Sequence, residues 1–128
     1  MQLASFDIIK DGGPQAVAIS QTNQVVSEVL EVTAEGARYL TFQVTAASVS
    51  GTGAVCKLQH SFDGTNFTDV DATNAKVTIT GNGRFPLVMS VENFPTKMPL
   101  GRKIRFVCTT GGSDAVTLTR ILVQQPAP

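Results

Sequence analysis

The polar residues between His60 and Asp71 are the densest group of potentially reactive side chains in this sequence. They include a His, a Ser and several Asp residues, which are the residue types of a hydrolase triad. His60 and Ser61 are adjacent, however, and adjacent residues of a strand point to opposite faces, so the imidazole cannot activate this hydroxyl. The Gly-x-Ser-x-Gly elbow of many hydrolases does not occur in the sequence either. We therefore expect neither catalysis nor a cofactor.

The same segment offers hard oxygen ligands of the kind that calcium prefers. Four side chains within a short stretch could contribute them: Asp63, Asn66, Asp69 and Asp71. The glycine and the final glutamate of an EF-hand are not at their required positions. We favour a polar turn, in which residues 63–66 form a four-residue hairpin loop. That loop would set Phe62 opposite Phe67 and His60 opposite Asp69.

Cys56 and Cys108 are the only cysteines, and their spacing contains no CxxC pair and no nearby His cluster, which excludes a zinc site. Two cysteines on separate strands are also the arrangement found in an immunoglobulin-type disulfide. That fold's packing Trp is missing, and Phe106 stands where its corner Tyr would be. Because both cysteines alternate with apolar neighbours, we favour two reduced, buried thiols over a disulfide.

The charge balance argues against nucleic acid and membranes as partners. Ten basic and ten acidic residues give a formal net charge of zero, so no net attraction to phosphate backbones or anionic lipid is available. The first residues lack the pattern of a signal peptide, and no window approaches the ~18 apolar residues of a membrane span. We expect synthesis in the cytosol without export.

The elements that must position these side chains are β-strands. Short alternating runs rich in Val and Thr are separated by Gly, Pro, Asn and Asp, and no segment has the apolar spacing of a helix. This pattern predicts an all-β domain over 15–123: a single antiparallel β-sandwich, jelly-roll-like, of about eight strands. Strands are predicted near the following residues: 15–20, 25–33, 38–48, 54–62, 67–70, 75–80, 84–92, 103–110 and 115–123.

A three-residue hairpin loop is predicted at 81–83, because it gathers the apolar side chains of both flanking strands on one face. It would set Ile79 opposite Phe85 and Val77 opposite Leu87.

Pro86 has no amide hydrogen to donate to a neighbouring strand, so its strand is predicted near a sheet edge.

A second hairpin is predicted around 109–114, and the sequence allows two registers for it. An odd loop length places Phe106 on the face of Leu118, whereas an even one places it on the face of Ile121. The number of apolar side chains favours the odd length.

Residues 57–70 contain a Ser-x-Asp-Gly-x-x-Phe pattern between two strands. This stretch resembles the hairpin "strand, S-x-D-G-x-x-[WF], strand" of β-sandwich proteins in the virions of tailed bacteriophages, with Phe67 in place of the usual Trp. Residues 99–107, followed by a Gly-Gly turn, resemble the closing strands of such proteins. The resemblance implies a non-enzymatic virion structural protein of the head decoration (cement) type, on the capsid exterior and assembled in the host cytoplasm.

The chain ends are predicted to be arms, over 1–14 and 124–128, because Gly-Gly-Pro and Gln-Gln-Pro-Ala-Pro sequences interrupt regular strands there. We expect the arms and a Pro-rich connection to contact the major capsid protein and other copies of the chain in a homotrimer. The candidate partner-binding residues are Phe6, Ile8, Ile9, Phe94, Met98 and Leu100. For the first three, an ordinary edge strand is an equal alternative.

Two other functions are compatible with the same sequence. A glycan-binding module of a phage fibre would suit a β-sandwich, although the single Tyr and the absence of Trp leave few aromatic platforms for sugars. A ring component of the head–tail connector or tail would be distinguished by six or twelve copies rather than three.

Overall fold

Strands form where β-branched and alternating apolar residues dominate the sequence. The computed structural model describes residues 3–32, 40–71, 73, 75–88 and 102–126. These residues contain eleven strands: β1 (Leu3–Asp7), β2 (Gln15–Val17), β3 (Gln24–Val25), β4 (Leu30–Glu31), β5 (Thr41–Ser50), β6 (Ala54–Ser61), β7 (Thr68–Asp69), β8 (Lys76–Ile79), β9 (Gly83–Val88), β10 (Lys103–Thr109) and β11 (Ala115–Pro126). A 3-10 turn at Lys10–Gly12 follows β1.

The strands make two antiparallel sheets. Sheet I has the order β1-β11-β5-β9, and β2 also pairs with β11. Sheet II has the order β3-β10-β6-β7, with β4 also paired to β10 and β8 to β6. The predicted antiparallel sandwich is confirmed. Three of the eleven strands have only two residues, which explains why the sequence indicates about eight.

The core lies between the sheets and is built by side chains that alternate along each strand. In β5 every second residue from Phe42 to Ala46 is buried, while Thr41 and Gln43 are partly exposed. An edge-to-face contact joins the sheets: the ring centroids of Phe42 and Phe106 are 4.9 Å apart with an interplanar angle of 78°. Both rings are fully buried, and such a pair adds about 0.5–1.5 kcal/mol beyond the burial of its area.

Two of the predicted hairpins are wrong, because the chain crosses from one sheet to the other at those turns. β8 pairs with β6 in sheet II, whereas β9 pairs with β5 in sheet I. Ile79 and Leu87 are nevertheless both buried. The side chains predicted to share one apolar face therefore do lie in the core, but they reach it from the two opposite sheets. The connection at 110–114 likewise joins β10 of sheet II to β11 of sheet I.

Strand β11 changes the face of its apolar side chains along its length. Val116 and Leu118 are buried, and after a register shift the buried positions become Ile121 and Val123. A bulge adds one residue to a strand and thereby reverses the alternation beyond it. Neither the odd nor the even alignment with β10 is correct, because β10 and β11 do not pair and the buried positions of β11 change at the bulge. The prediction of an edge position for Pro86 is confirmed, since β9 ends the order of sheet I within the described residues.

The predicted N-terminal arm over 1–14 is corrected by the structure. β1 is an edge strand of sheet I, and Ile8 and Ile9 are 5% and 4% exposed within the core. The Ile8 amide donates to the Ile121 carbonyl at 2.9 Å, while Ile9 bridges to Ser27 beside sheet II. The chain thus passes from one sheet to the other at these two residues, which explains why both are buried.

The predicted C-terminal tail over 124–128 is corrected as well. Residues up to Pro126 continue β11, and Leu3 lies opposite Pro126 in the β1–β11 pair. The sandwich therefore extends beyond the predicted limits of 15–123 at both ends, and the first and last described strands are neighbours.

Candidate functional site

Loop 62–66 projects from the end of β6 and is held by hydrogen bonds from two side chains. The Ser61 hydroxyl accepts from the Gly64 amide at 2.8 Å and donates to Asp63 Oδ1 at 2.9 Å. Asp63 Oδ1 accepts from the amides of Thr65 and Asn66, both at 2.8 Å. Asp63 Oδ2 accepts from the Asn66 side chain at 2.8 Å. These bonds fix the backbone of the loop before any partner binds.

The electrostatics of the loop follow from these bonds. The amides of Asn66 and Thr65, then the Asn66 side chain and the Ser61 hydroxyl, hold the pKa of the Asp63 carboxyl well below its usual value. Hydrogen bonds to the charged form of a carboxyl stabilise that form. The loop therefore retains a carboxylate down to acidic pH.

The predicted register of this hairpin is wrong by one residue. The structure pairs Gln59 with Asp69 and His60 with Thr68, rather than His60 with Asp69. The Ser61 hydroxyl takes part in the turn, so the loop contains five residues instead of four. Continued by one residue, the observed register sets Ser61 opposite the residue at 67.

The two phenylalanines of the hairpin consequently have different surroundings, contrary to the predicted pair. The Phe62 side chain is 80% exposed, and its ring centroid lies 5.6 Å from that of His60. Phe67 is partly buried, with the guanidinium carbon of Arg105 4.0 Å from the centre of its ring. Phe62 was not among the predicted partner-binding residues, and its position before an Asp-Gly turn is the signal that could have identified it.

The structure gives His60 and Ser61 separate environments. The Ser61 side chain is 1% exposed, and its hydroxyl is bonded within the loop. Burial lowers the pKa of the His60 imidazole. The hydrogen bonds with Asp63 and Gly64 give Ser61 a structural role in the loop.

The four side chains of the calcium hypothesis do not converge. Asp63 uses its oxygens within the loop, and Asp71 Oδ1 accepts from the Thr73 amide at 3.0 Å. Asp69 pairs with Lys57 at 3.0 Å. Among the described residues, no group of three or more His, Cys, Asp or Glu side chains is arranged to hold a metal ion.

A polar network covers the outer face of sheet II beside this loop. Asp69 accepts from Lys57 Nζ at 3.0 Å and from Gln59 Nε2 at 3.1 Å, and Arg105 Nε donates to Gln59 Oε1 at 3.1 Å. Burial alone would raise the pKa of the Asp69 carboxyl, but the Gln59 and Lys57 bonds and the Lys57 charge together lower it. Burial lowers the pKa of Arg105. The network orders four side chains next to Phe67.

The prediction of two reduced, buried thiols is confirmed for Cys56 and Cys108. They lie directly opposite each other on β6 and β10, in one sheet rather than across the sandwich as in an immunoglobulin domain. A hydrogen bond with Cys108 and burial raise the pKa of the Cys56 thiol.

A shallow groove of about 180 Å³ opens on the outer face of sheet I. Its lining combines hydroxyl and amide side chains with apolar ones, and no lining residue is charged. The lining residues are Ser5, Thr41, Phe42, Gln43, Pro86, Leu122 and Gln124.

Several elements meet at the end of the sandwich that carries loop 62–66, which we call the tip end. The short connection between Ser50 and Ala54 joins β5 to β6 at the opposite end, so the start of β5 and the end of β6 share the tip end. Thr41, the first residue of β5, lies opposite both Val88 and Gln124. The start of β1 and the end of β11 therefore also lie at the tip end.

No family model, curated protein or solved structure matches this chain.

The predicted partner-binding residues are only partly described. Ile8 and Ile9 are in the core, and Phe6 packs against it, so these side chains are not free anchors. The alternative, an ordinary edge strand, holds for Phe6 in β1, whereas Ile8 and Ile9 follow that strand where the chain changes sheets. Three further candidates lie outside the described residues: Phe94, Met98 and Leu100. Within the described ranges, no helix has the length and apolarity that crossing a membrane requires.

Proposed function

We propose that this protein is a non-enzymatic structural protein of a tailed-phage virion, which binds the capsid exterior and stabilises the lattice as a decoration (cement) protein. Its partners would be the major capsid protein and two further copies of itself, after assembly in the host cytoplasm. The phage context is supported by the hairpin pattern at 57–70.

The binding role is supported chiefly by the convergence at the tip end of a rigid loop, an 80% exposed Phe62 and both terminal strands. Binding of a partner immobilises side chains and loops at the interface, which costs conformational entropy. This entropy cost is smaller when a loop is already ordered in the free protein. Removing an aromatic side chain from water contributes about 1.5–3 kcal/mol. Phe62 thus has the properties of an anchor residue at an interface.

The mechanism would be mechanical. A protein that binds only the assembled lattice stabilises it by mass action, because separating the capsid subunits first requires its release. The balance of ten basic and ten acidic residues agrees with a protein surface, rather than nucleic acid or a membrane, as the binding partner.

The test is co-sedimentation of the purified protein with empty capsids assembled from the major capsid protein of the same phage. We expect saturable binding, a trimer mass by light scattering, and about a tenfold or greater loss of affinity in Phe62→Ala. Ile19→Ala is the matched control, because Ile19 is 51% exposed but lies by Gly111 at the other end of the sandwich. Absence of capsid binding by the wild-type protein would refute the proposal. Six or twelve copies would favour a connector or tail ring instead.

A second candidate function is glycan binding, which the groove on sheet I favours. The neutral side-chain amides of Gln43 and Gln124 can hydrogen-bond to sugar hydroxyls, and the lining also includes the apolar side chains of Leu122 and Pro86. Binding on a glycan array that is lost in Gln43→Ala and Gln124→Ala, without capsid uptake, would favour this function over the first.

A further inference from the structure

The two cysteines occupy the centre of sheet II and face each other across the β6–β10 pair. Cys56 is opposite Cys108 in a register that runs without interruption from Lys103 to Thr109. Both side chains are fully buried, and both are thiols in this structure. Their relation is therefore set by the ladder and not by flexible loops.

Backbone hydrogen bonds identify which type of cross-strand pair they form. Leu58 and Phe106 are opposite each other two residues further along, and their polar groups point away from one another: the Leu58 amide donates to the Ala75 carbonyl at 3.0 Å, and the Phe106 carbonyl accepts from the Val26 amide at 3.1 Å. Because this orientation repeats every second residue, Cys56 and Cys108 also form a non-hydrogen-bonded pair.

Such a pair has the geometry that a disulfide needs. Opposite residues at non-hydrogen-bonded positions have Cα atoms about 4.5 Å apart, with their side chains close together. A disulfide accepts Cα separations of about 4.4–6.8 Å. The two sulfur atoms can therefore be joined by rotation about side-chain bonds, without separating the strands.

We propose that Cys56 and Cys108 are an oxidation site at which a peroxide closes an intramolecular disulfide. One thiolate attacks the peroxide oxygen to give a sulfenic acid and, after protonation, water. The second thiol then attacks the sulfenic sulfur, forms the S–S bond and releases a second water. In total, two thiols lose two protons and two electrons, and one hydrogen peroxide is reduced to two waters.

Burial makes this site slow in the native protein, because oxidant must reach the thiols through local opening of the strands. The reducing host cytosol would keep the two cysteines as thiols, whereas oxidising surroundings outside the cell would favour the disulfide. The closed bond would link the two central strands of sheet II, whose ends flank loop 62–66 at the tip end. Closing a loop of about 50 residues restricts the unfolded chain more than the native one.

The test is to purify the protein with a reductant, remove the reductant, and expose the folded protein to hydrogen peroxide. We expect an intact mass lower by two hydrogens and a Cys56–Cys108 link in a non-reducing peptide map. The thermal midpoint should rise by about 5 °C or more, reversibly with dithiothreitol. Diamide, which joins dithiols directly, should give the same link and the same shift.

Cys56→Ala and Cys108→Ala are the controls, and each should lose the mass change, the link and the shift. If either variant fails to fold, the wild-type chain can be oxidised in parallel with and without urea. Native protein that keeps two free thiols under conditions that cross-link the unfolded chain would overturn the proposal. So would a link that forms only between two chains, or an internal link that lowers the thermal midpoint.

Discussion

The guanidinium carbon of Arg105 lies 4.0 Å from the centre of the Phe67 ring. Arg105 belongs to β10 and Phe67 directly precedes β7, and the bond from Arg105 to Gln59 helps to position the guanidinium there. The same Gln59 also donates to Asp69, so the cation above the ring is one end of an ordered polar network. This arrangement keeps a positive charge and an aromatic side chain together on the partly exposed face of sheet II.

A double-mutant cycle should measure this contact. Phe67→Leu removes the aromatic face, and Arg105→Met removes the charge but keeps an apolar stem. We expect a coupling free energy of about 0.5–1 kcal/mol in urea denaturation, as for other partly exposed cation–π pairs. Strictly additive single variants would mean that the two side chains are neighbours without a favourable interaction.

Two phenylalanines provide a contrast between core and surface. Phe106→Ala should lower the free energy of unfolding by about 3–5 kcal/mol, because it leaves a cavity next to Phe42. Phe62→Ala should change it by less than about 0.5 kcal/mol, since that ring is 80% exposed. Phe106→Leu, expected to cost less than Phe106→Ala, serves if the alanine variant does not fold. Similar losses in Phe62→Ala and Phe106→Ala would contradict the described packing.

The Asp63 loop should respond to acid. Folding lowers the pKa of this carboxyl, so the unfolded chain takes up the proton first, and the stabilisation is present at neutral pH but is lost as the pH falls below about 4. Asp63→Asn should therefore have a lower thermal midpoint than the wild type near neutral pH, with the difference shrinking toward about pH 2. Calorimetry across this range tests the effect.

Asp11→Asn is the control for that experiment, because Asp11 is exposed in the 3-10 turn far along the chain from the loop. A difference between Asp63→Asn and wild type that stays constant from neutral pH to strong acid would show that the carboxylate charge does not hold the loop.

Gly51 should tolerate no side chain. Its φ is +80°, and an added Cβ would collide with the Asp114 carboxylate and lie 2.6 Å from the Ser113 carbonyl oxygen. Gly51→Ala should lower the free energy of unfolding by about 1–2 kcal/mol or more. Gly13→Ala is the control, since Gly13 has an extended backbone and open space around it; it should be neutral or slightly stabilising. Equal effects would argue against this turn geometry.

The alternation of side chains was sufficient to predict the sandwich but not its connections. Ile79 and Leu87 face inward whether their strands pair with each other or lie in opposite sheets, so periodicity cannot separate the two cases. Deciding between them depends on contacts with β5 and β6, which are distant in sequence. Ile8 and Ile9 were misplaced for a related reason: two consecutive buried residues break the strand period where the chain changes sheets.

The candidate site was predictable in composition but not in register. The Asp-Gly turn chemistry indicated a hairpin near 63–66. The inclusion of Ser61 in the turn shifted the pairing by one residue and separated Phe62 from Phe67. That Cys56 and Cys108 lie directly opposite each other could not be predicted either, because their positions depend on the pairing of β6 with β10, which are distant in sequence.

The neighbouring positions of Leu3 and Pro126 also make the chain suitable for circular permutation. Adjacent strands are about 4.8 Å apart, so a short linker could join the old ends, and new ends could be opened at exposed Gly112 in the distant turn. Peptide cargo displayed from Gly112 would point away from the tip end, whereas cargo attached next to Leu3 or Pro126 would emerge at the tip end.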